Sequence, residues 1–442
     1  MTSATNGLVV RGGRVIDPLS GRDERADVWV AGERIYAIAP GLEVPAGTQV
    51  LDAAGCIVMP GLVDLAVRLR EPGQEHEGML ESELAAAAAG GVTSLVCLPD
   101  TDPVLDEPGL VEMLKFRARR LASCRVFPLG ALTRGLAGQA LTEMAELTEA
   151  GCIGFSQAEV ALQDHQVLLR ALQYAATFGY TVWLRPQDAS LGKGVAAAGE
   201  VATRLGLAGV PVMAETLAIH AVMEMVRVTR ARVHLCRLSS AAGVALVRAA
   251  KAEGLPISAD VSINSLHLTD VDIGWFDAAA RLTPPLRQAR DRDALRAALA
   301  DGTLDALVSD HTPVAADAKV LPFAEAEPGA SGLELLLSLA LKWGQAEGLD
   351  LPRCLAAVSS GPAAVLGGAI GGMRHSAGRL QVGGMADLCV FDPAAIWMAQ
   401  PSALRSQGKH TPFAPASGGT ALPGRVRATV LAGALAFDAT AT

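Results

Sequence analysis

Cysteine pairs at CxxC spacing are missing from this sequence. Its seven cysteines, Cys56, Cys97, Cys124, Cys152, Cys236, Cys354 and Cys389, are scattered, several inside apolar strand-like runs. A disulfide framework or a thiolate zinc knot is therefore not indicated, and buried free thiols in a reducing cytosol are expected. The net charge is −9, and Lys and Arg are read as forming no basic run. That argues against nucleic acid and anionic membranes as partners. No stretch approaches the ~18 uninterrupted apolar residues of a membrane span. The opening "MTSATNGLVVRGG" lacks a basic n-region followed by an apolar h-region, so no secretory signal is read. A cytoplasmic protein without a membrane partner is the expectation.

What is present is a large apolar fraction, half of the 442 residues, enough for one sizeable core and a smaller second one. Eight short apolar or alternating runs, each followed by a helix-period segment, recur through the middle of the chain. They are "GLVDLAVRL" (61–69), "TSLVCLPD" (93–100), "RVFPLGAL" (125–132), "GCIGFSQ" (151–157), "TVWLRPQD" (181–188), "RVHLCRLSS" (232–240), "PISADVS" (256–262) and "LDALVSDH" (304–311). Strands alternating with helices in this number predict an α/β protein, a (β/α)8 TIM barrel, with reactive side chains gathered where the strands end. Both chain ends instead show two-residue alternation with Gly turns, the pattern of antiparallel strands. The predicted organisation is a composite β-sandwich domain from 1–59 and 366–442 around a barrel domain, 60–365.

The first barrel run poses a chemical question. In "DLAVRLREPG" alternate positions carry Asp64, Ala66, Arg68 and Arg70, three charges and a methyl group facing one way. "PGLVDLAVRLREPG" resembles the signature "PGLVDxHxHxREPG" of dihydroorotases in the amidohydrolase superfamily. "LPDTDPVLDEP", "GFSQ", "HLCRLS", "LTPPLR", "SDHTP" and "PGASGLE" follow in that family's order, and "VGGMADLCVFDP" and "GKHTPF" are similar to its closing sandwich strands.

The resemblance implies a zinc site built from His residues and one acidic or carboxylated residue, with an Asp on the last strand moving the proton. At the six corresponding positions this chain has Ala66, Arg68, Gln157, Arg185, Arg237 and Asp310. Only Asp310 keeps a ligand, and Lys is absent between Lys115 and Lys193. Guanidinium groups stay protonated and cannot ligate a metal. A divalent cation ~4 Å from one of them would be repelled by roughly 8 kcal/mol at an effective dielectric of about 20. Zinc is therefore expected to be lost, with no cofactor in its place, and the three arginines to take over its positive charge, facing Asp310 and Asp64.

At the positions that the resemblance assigns to substrate, Arg70 matches the carboxylate-gripping arginine, whereas Asp100 and Thr283 each replace an Asn. Arg70 is read as a loop anchor salt-bridged to Glu71 and Asp100. Asp310 with His311 is read as an inherited structural pair rather than a catalytic dyad, and His234 as a core histidine. The function expected is a non-catalytic dihydroorotase-like subunit of pyrimidine biosynthesis. The resemblance implies that it assembles with the aspartate carbamoyltransferase catalytic chain, as a homo-oligomer within a hetero-oligomeric complex. Two alternatives are an active cyclic-amide hydrolase with an atypical metal site, and a protein that binds an anionic small molecule in an arginine-rich pocket.

Overall fold

The computed structural model describes residues 7–415 and 418–440. The chain opens with β1 (Gly7–Asp17), β2 (Arg22–Ala31), β3 (Arg34–Ala39), β4 (Gln49–Asp52) and β5 (Ile57–Pro60). Nine strands follow the barrel path: β6 (Leu62–Val67), β7 (Val92–Cys97), β8 (Arg125–Pro128), β9 (Gly130–Ala131), β10 (Phe155–Ser156), β11 (Thr181–Leu184), and, after a side excursion of β12 (Ala196–Ala197) and β13 (Gly209–Val210), β14 (Arg232–Leu235), β15 (Ile257–Ser262) and β16 (Ala306–Val308). The chain closes with β17 (Leu388–Ala399), β18 (Thr420–Leu431) and β19 (Ala434–Asp438).

Every pairing along the barrel path is parallel, in the order β6-β7-β8 and then β9-β10-β11-β14-β15-β16. The "RVFPLGAL" run is two strands, split at Leu129, whose N–H bonds back to Cys97. A parallel bridge from Val67 to His311 joins the last strand to the first. The ring is thus a (β/α)8 barrel, and all its strands end on one face. Val63, Leu65, Val96, Leu129, Trp183, Cys236, Ala306 and Val308 fill its interior. Strands buried on both faces read as continuous apolar runs rather than alternating ones, which is why these eight were visible in sequence. Leu65→Ala would empty part of this interior at about 2–5 kcal/mol.

Strands from both chain ends share one sheet, ordered β19-β18-β17-β5-β1-β2-β3 with β4 on β1; its pairings are antiparallel as expected except at β1, which runs parallel to β4 and to β5 because the chain crosses over between them rather than turning back in a hairpin. β5 pairs antiparallel with β17, and only Gly61 separates β5 from β6. A Cβ at Gly61 would sit 2.1 Å from the Thr93 hydroxyl. The sheet and the barrel therefore meet at a point that no side chain can enter. "GKHTPF" (408–413) departs from its sandwich-strand assignment: it lies in the connection between β17 and β18. There it packs on the barrel, where Gly408 and His410 carbonyls accept from Ser331.

Two helices carry residues that anchor or flank the barrel mouth. α1 (Leu80–Ala89) is the alanine run, stopped by Gly90 and by Gly91 at φ +82. α2 (Pro108–Leu121) overturns the reading that no basic run exists, because Lys115, Arg117, Arg119 and Arg120 all lie on it. The sequence hides this by interleaving Phe116 and Ala118. Residues Leu351–His375 reach a mean hydropathy of 1.5 over a membrane-spanning length, where a count of uninterrupted apolar residues finds no span. Their backbone leaves helical geometry at Ser359, Gly367 and Gly371, and 44% of the apolar window is buried in the fold. All seven cysteines are free, and Cys56 alone is half-exposed.

Candidate functional site

The strand ends converge on one carboxylate. β6 stops at Val67, and the Arg68 side chain reaches across the barrel mouth. Its Nε donates to Asp100 at 2.8 Å, its Nη1 to the Thr312 hydroxyl at 3.0 Å and its Nη2 to Glu159 Oε1 at 2.7 Å. Arg237, after β14, donates Nη1 to Asp310 Oδ1 at 2.9 Å and to the Thr283 carbonyl at 3.3 Å, and its Nη2 pairs with Glu159. Arg185, after β11, pairs through Nε with Glu159 and donates Nη2 to the Glu159 carbonyl at 3.1 Å. Glu159 thus holds three guanidinium groups, and Asp100 and Asp310 balance the rest.

Sharp backbone turns make this convergence possible. Arg70, Ala158, Arg237 and Asp310 all sit at positive φ, between 49° and 62°. Such residues cost about 1–3 kcal/mol each and persist only where surroundings hold them. Here each stands at or just past a strand end, where a turn redirects a charged side chain inward.

The electrostatics derive from that geometry. Burial alone would push the Glu159 pKa up, but Arg185, Arg237 and Arg68 hold its carboxyl well below the usual carboxylate range. Burial raises Asp310, opposed by Arg237 and Arg68. Burial lowers Arg185 against the pull of Glu159, whereas Asp100 and Glu159 outweigh burial at Arg68 and raise it. Three arginines meet three carboxylates, so little net positive charge remains for an anion.

Two expected pairings are wrong. Asp64 is no counter-charge to the arginines: its Oδ1 accepts from the backbone N–H of Ser309 at 3.2 Å and of Ala66 at 3.3 Å. Burial pushes its pKa up to about 6. Arg70 is anchored neither to Glu71 nor to Asp100. It pairs with Glu77 at 2.7 Å and Glu327 at 3.2 Å, and it donates to the Pro313 carbonyl and to Gln74. Glu71 instead accepts from the first N–H of α1, at Leu80, and pairs with Arg117.

The remaining predicted residues have other surroundings. Ala66 is a buried methyl of the barrel interior. Gln157 is used up by neighbours, its Oε1 accepting from Thr133 at 3.0 Å and its Nε2 donating to the Leu136 carbonyl at 2.7 Å. His311 turns away from Asp310, bonding Glu83 at 2.8 Å while its Nδ1 accepts from Gly332. His234 is buried between Ser258 and Asp260, 2.8 Å from each, with its ring tilted against Trp183. Arg70, Asp100 and Thr283 do line a common cavity, with Glu159 and Asp310, but it holds only about 220 Å³. That is below the ~300–1,000 Å³ of ordinary ligand pockets.

Zinc does not fit these residues. At the positions assigned to the metal the structure supplies a methyl group, an amide bonded elsewhere and three guanidinium groups, and the one carboxylate is held by Arg237. Sequence reasoning missed Glu159, two residues past the ligand position. The available signal was charge balance: three inward arginines need more than one carboxylate.

Known proteins share both the sequence pattern and the fold. A family model for dihydro-orotase-like proteins matches residues 55–242, and the amidohydrolase family model matches residues 189–435. A "Dihydroorotase-like protein" of Pseudomonas aeruginosa is 45% identical over 435 residues, covering 98% of this chain and 99% of the relative. A "Dihydroorotase" of Geobacter sp. (strain M21) is 38% identical over 98% of this chain and 99% of its own. The solved structure of L-hydantoinase (dihydropyrimidinase) from Arthrobacter aurescens superposes with a TM-score of 0.86 at 24% identity, covering 98% of this chain and 96% of that one.

Proposed function

The chain belongs to the dihydroorotase-like amidohydrolase family, and we propose that it is a non-catalytic member, a cytoplasmic assembly subunit for aspartate carbamoyltransferase in pyrimidine biosynthesis. The observation that carries this reading is the ion cluster of Arg68, Arg185 and Arg237 with Glu159, Asp100 and Asp310 at the barrel mouth. It occupies the place where the family's metal chemistry would happen, and each of its charges is already partnered. Selection on an outer surface can keep a barrel and its sheet intact while the centre loses its ligands. The reading requires a second, active dihydroorotase in the same cell.

The name of the Geobacter relative supports the competing reading, a working cyclic-amide hydrolase with an atypical metal site. The neutral charge balance of the cluster weighs against the third, an anion-binding protein. One set of measurements on the purified protein separates them: metal content, dihydroorotate turnover, and co-elution with aspartate carbamoyltransferase. Expected are sub-stoichiometric zinc, no turnover and co-elution in a stable complex of several copies of each chain. Stoichiometric zinc together with ring opening would overturn the proposal.

A further inference from the structure

Two of the four cations on α2 have neither a carboxylate nor a ring to face. Arg117 pairs with Glu71, and Arg120 lies over the Phe116 ring at 5.7 Å. Lys115 and Arg119 form no ion pair among the described residues. The Lys115 ammonium has one acceptor, the Gly151 carbonyl, at a long 3.4 Å. Lys115 is half-buried and Arg119 exposed, and burial, then the charge of Arg119, holds the lysine below its ordinary pKa. Side chains four residues apart share one helix face, and like charges so placed repel. The fold thus keeps a partly desolvated, repelling pair that an anion would settle.

Both cations line a cavity of about 490 Å³, within the ~300–1,000 Å³ of ordinary ligand pockets. It lies where β8 begins, at the opposite end of the strands from the ion cluster. Its apolar wall is made by Val126 and Phe127 of β8, by Met373 and by Leu431 at the end of β18. Arg125 lines it too, but its guanidinium is spent on Asp387 through two bonds of 3.1 Å. Glu33, the one acidic lining residue, is exposed at the rim and pairs with neither cation. Bulk counter-ions could screen Lys115 and Arg119, but they gain nothing from the apolar wall. An organic anion gains from both. A guanidinium takes two oxygens of a carboxylate or phosphate at once, and an ammonium beside it takes another.

We propose that the foot of the barrel is a binding site for a small organic anion, whose phosphate or carboxylate head meets Lys115 and Arg119 and whose apolar body lies against Val126, Phe127, Met373 and Leu431. The site is separate from the ion cluster and does not depend on how the barrel mouth is read.

Titration calorimetry on the full chain at low salt tests it, with four probes: phenyl phosphate, phenylacetate, inorganic phosphate and the neutral 2-phenylethanol. Circular dichroism confirms that each variant is folded. At least one of the two aromatic anions is expected to saturate the chain with a Kd of about 1 mM or tighter, and to bind more weakly as salt is raised. Inorganic phosphate and phenylethanol should each bind at least about 10-fold more weakly, since each lacks one half of the recognition. Preference between the phosphate and the carboxylate probe names the head group, and either preference supports the site. Lys115→Met with Arg119→Met, which keeps the unbranched stems, should weaken binding at least about 10-fold. Ala434→Trp, which fills the cavity from an exposed lining position, should do the same, while Arg120→Met should bind as the unmodified chain does. Absence of saturable binding by both aromatic anions overturns the proposal. So does equal binding of inorganic phosphate, which would leave only a charged surface, or of phenylethanol, which would leave only an apolar hollow. Undiminished binding by the double methionine variant and by Ala434→Trp would put the anion elsewhere and overturn it as well.

Discussion

Arg237 bridges Glu159 and Asp310: its two terminal nitrogens go to carboxylates carried by the ends of β10 and β16. The Asp310 contact measures 2.9 Å and is buried. A pair so placed is strongly coupled, because removing either partner leaves the other charged, desolvated and alone.

Removing the shared carboxylate is the most damaging change expected at the barrel mouth. Glu159→Gln leaves Arg68, Arg185 and Arg237 without their common counter-charge and should cost about 3–5 kcal/mol of stability. Urea unfolding followed by circular dichroism measures it. A loss below about 0.5 kcal/mol would mean that the cluster is solvated and structurally idle.

Arg237 and Asp310 should be non-additive. Arg237→Met and Asp310→Leu each strand a buried charge, while the double variant removes one of each sign and should recover roughly 1–3 kcal/mol relative to the sum. A double-mutant cycle on chemical denaturation reads this coupling directly, and additivity within about 0.3 kcal/mol would refute it.

The pH dependence has opposite signs at two carboxylates. Asp64 in the folded protein titrates at about 6, above the ~3.9 of an unfolded Asp. Between those values the folded state binds the proton more tightly, so Asp64 makes stability fall as pH rises, by about 3 kcal/mol if it acts alone. Glu159 is depressed. Its contribution is present above the unfolded Glu value of about 4.3 and is lost as pH falls below it. Asp64→Asn should flatten the stability profile between about pH 4 and pH 6, while Glu159→Gln should remove a gain seen above about pH 4. An Asp64→Asn profile superimposable on that of the unmodified chain would count against the first assignment.

Chelation should leave the protein unmoved. A bound metal present at 1,000 times its Kd would add about 4 kcal/mol to folding. Dialysis against EDTA is instead expected to shift the calorimetric midpoint by less than about 1 °C, well under the several degrees that such a loss would produce. A fall of several degrees, reversed by zinc, would contradict the charge argument.

Glu83 ties the C-terminal connection to the barrel. Buried on α1, it meets His311 at 2.8 Å, the Ser406 hydroxyl at 2.6 Å and the Gln407 N–H at 2.9 Å. Glu83→Ala should release residues 404–410 and cost about 2–4 kcal/mol. Limited proteolysis mapped by mass spectrometry should show new cleavage in that stretch; an unchanged digest would show that other contacts hold it.

The eight barrel runs, the mainly antiparallel pairing of both chain ends and side chains unable to coordinate a metal at five of the six positions compared were all legible in the sequence. Each depends on a property that travels with the residue: an apolar run buried on both faces, a two-residue alternation, a side chain unable to coordinate. The pairing of charges did not travel that way. Ala158 turns into the left-handed region and lets Glu159, not Gln157, enter the centre. Asp64, fully buried on β6, uses its Oδ1 to accept from the Ser309 and Ala66 backbone N–H groups rather than meeting an arginine. Arg70 finds Glu327 across 257 residues of chain. Such partners are chosen by where strand ends and loops meet in space, and charge attraction has no period along a sequence; only the closed barrel decided which carboxylate answers which arginine.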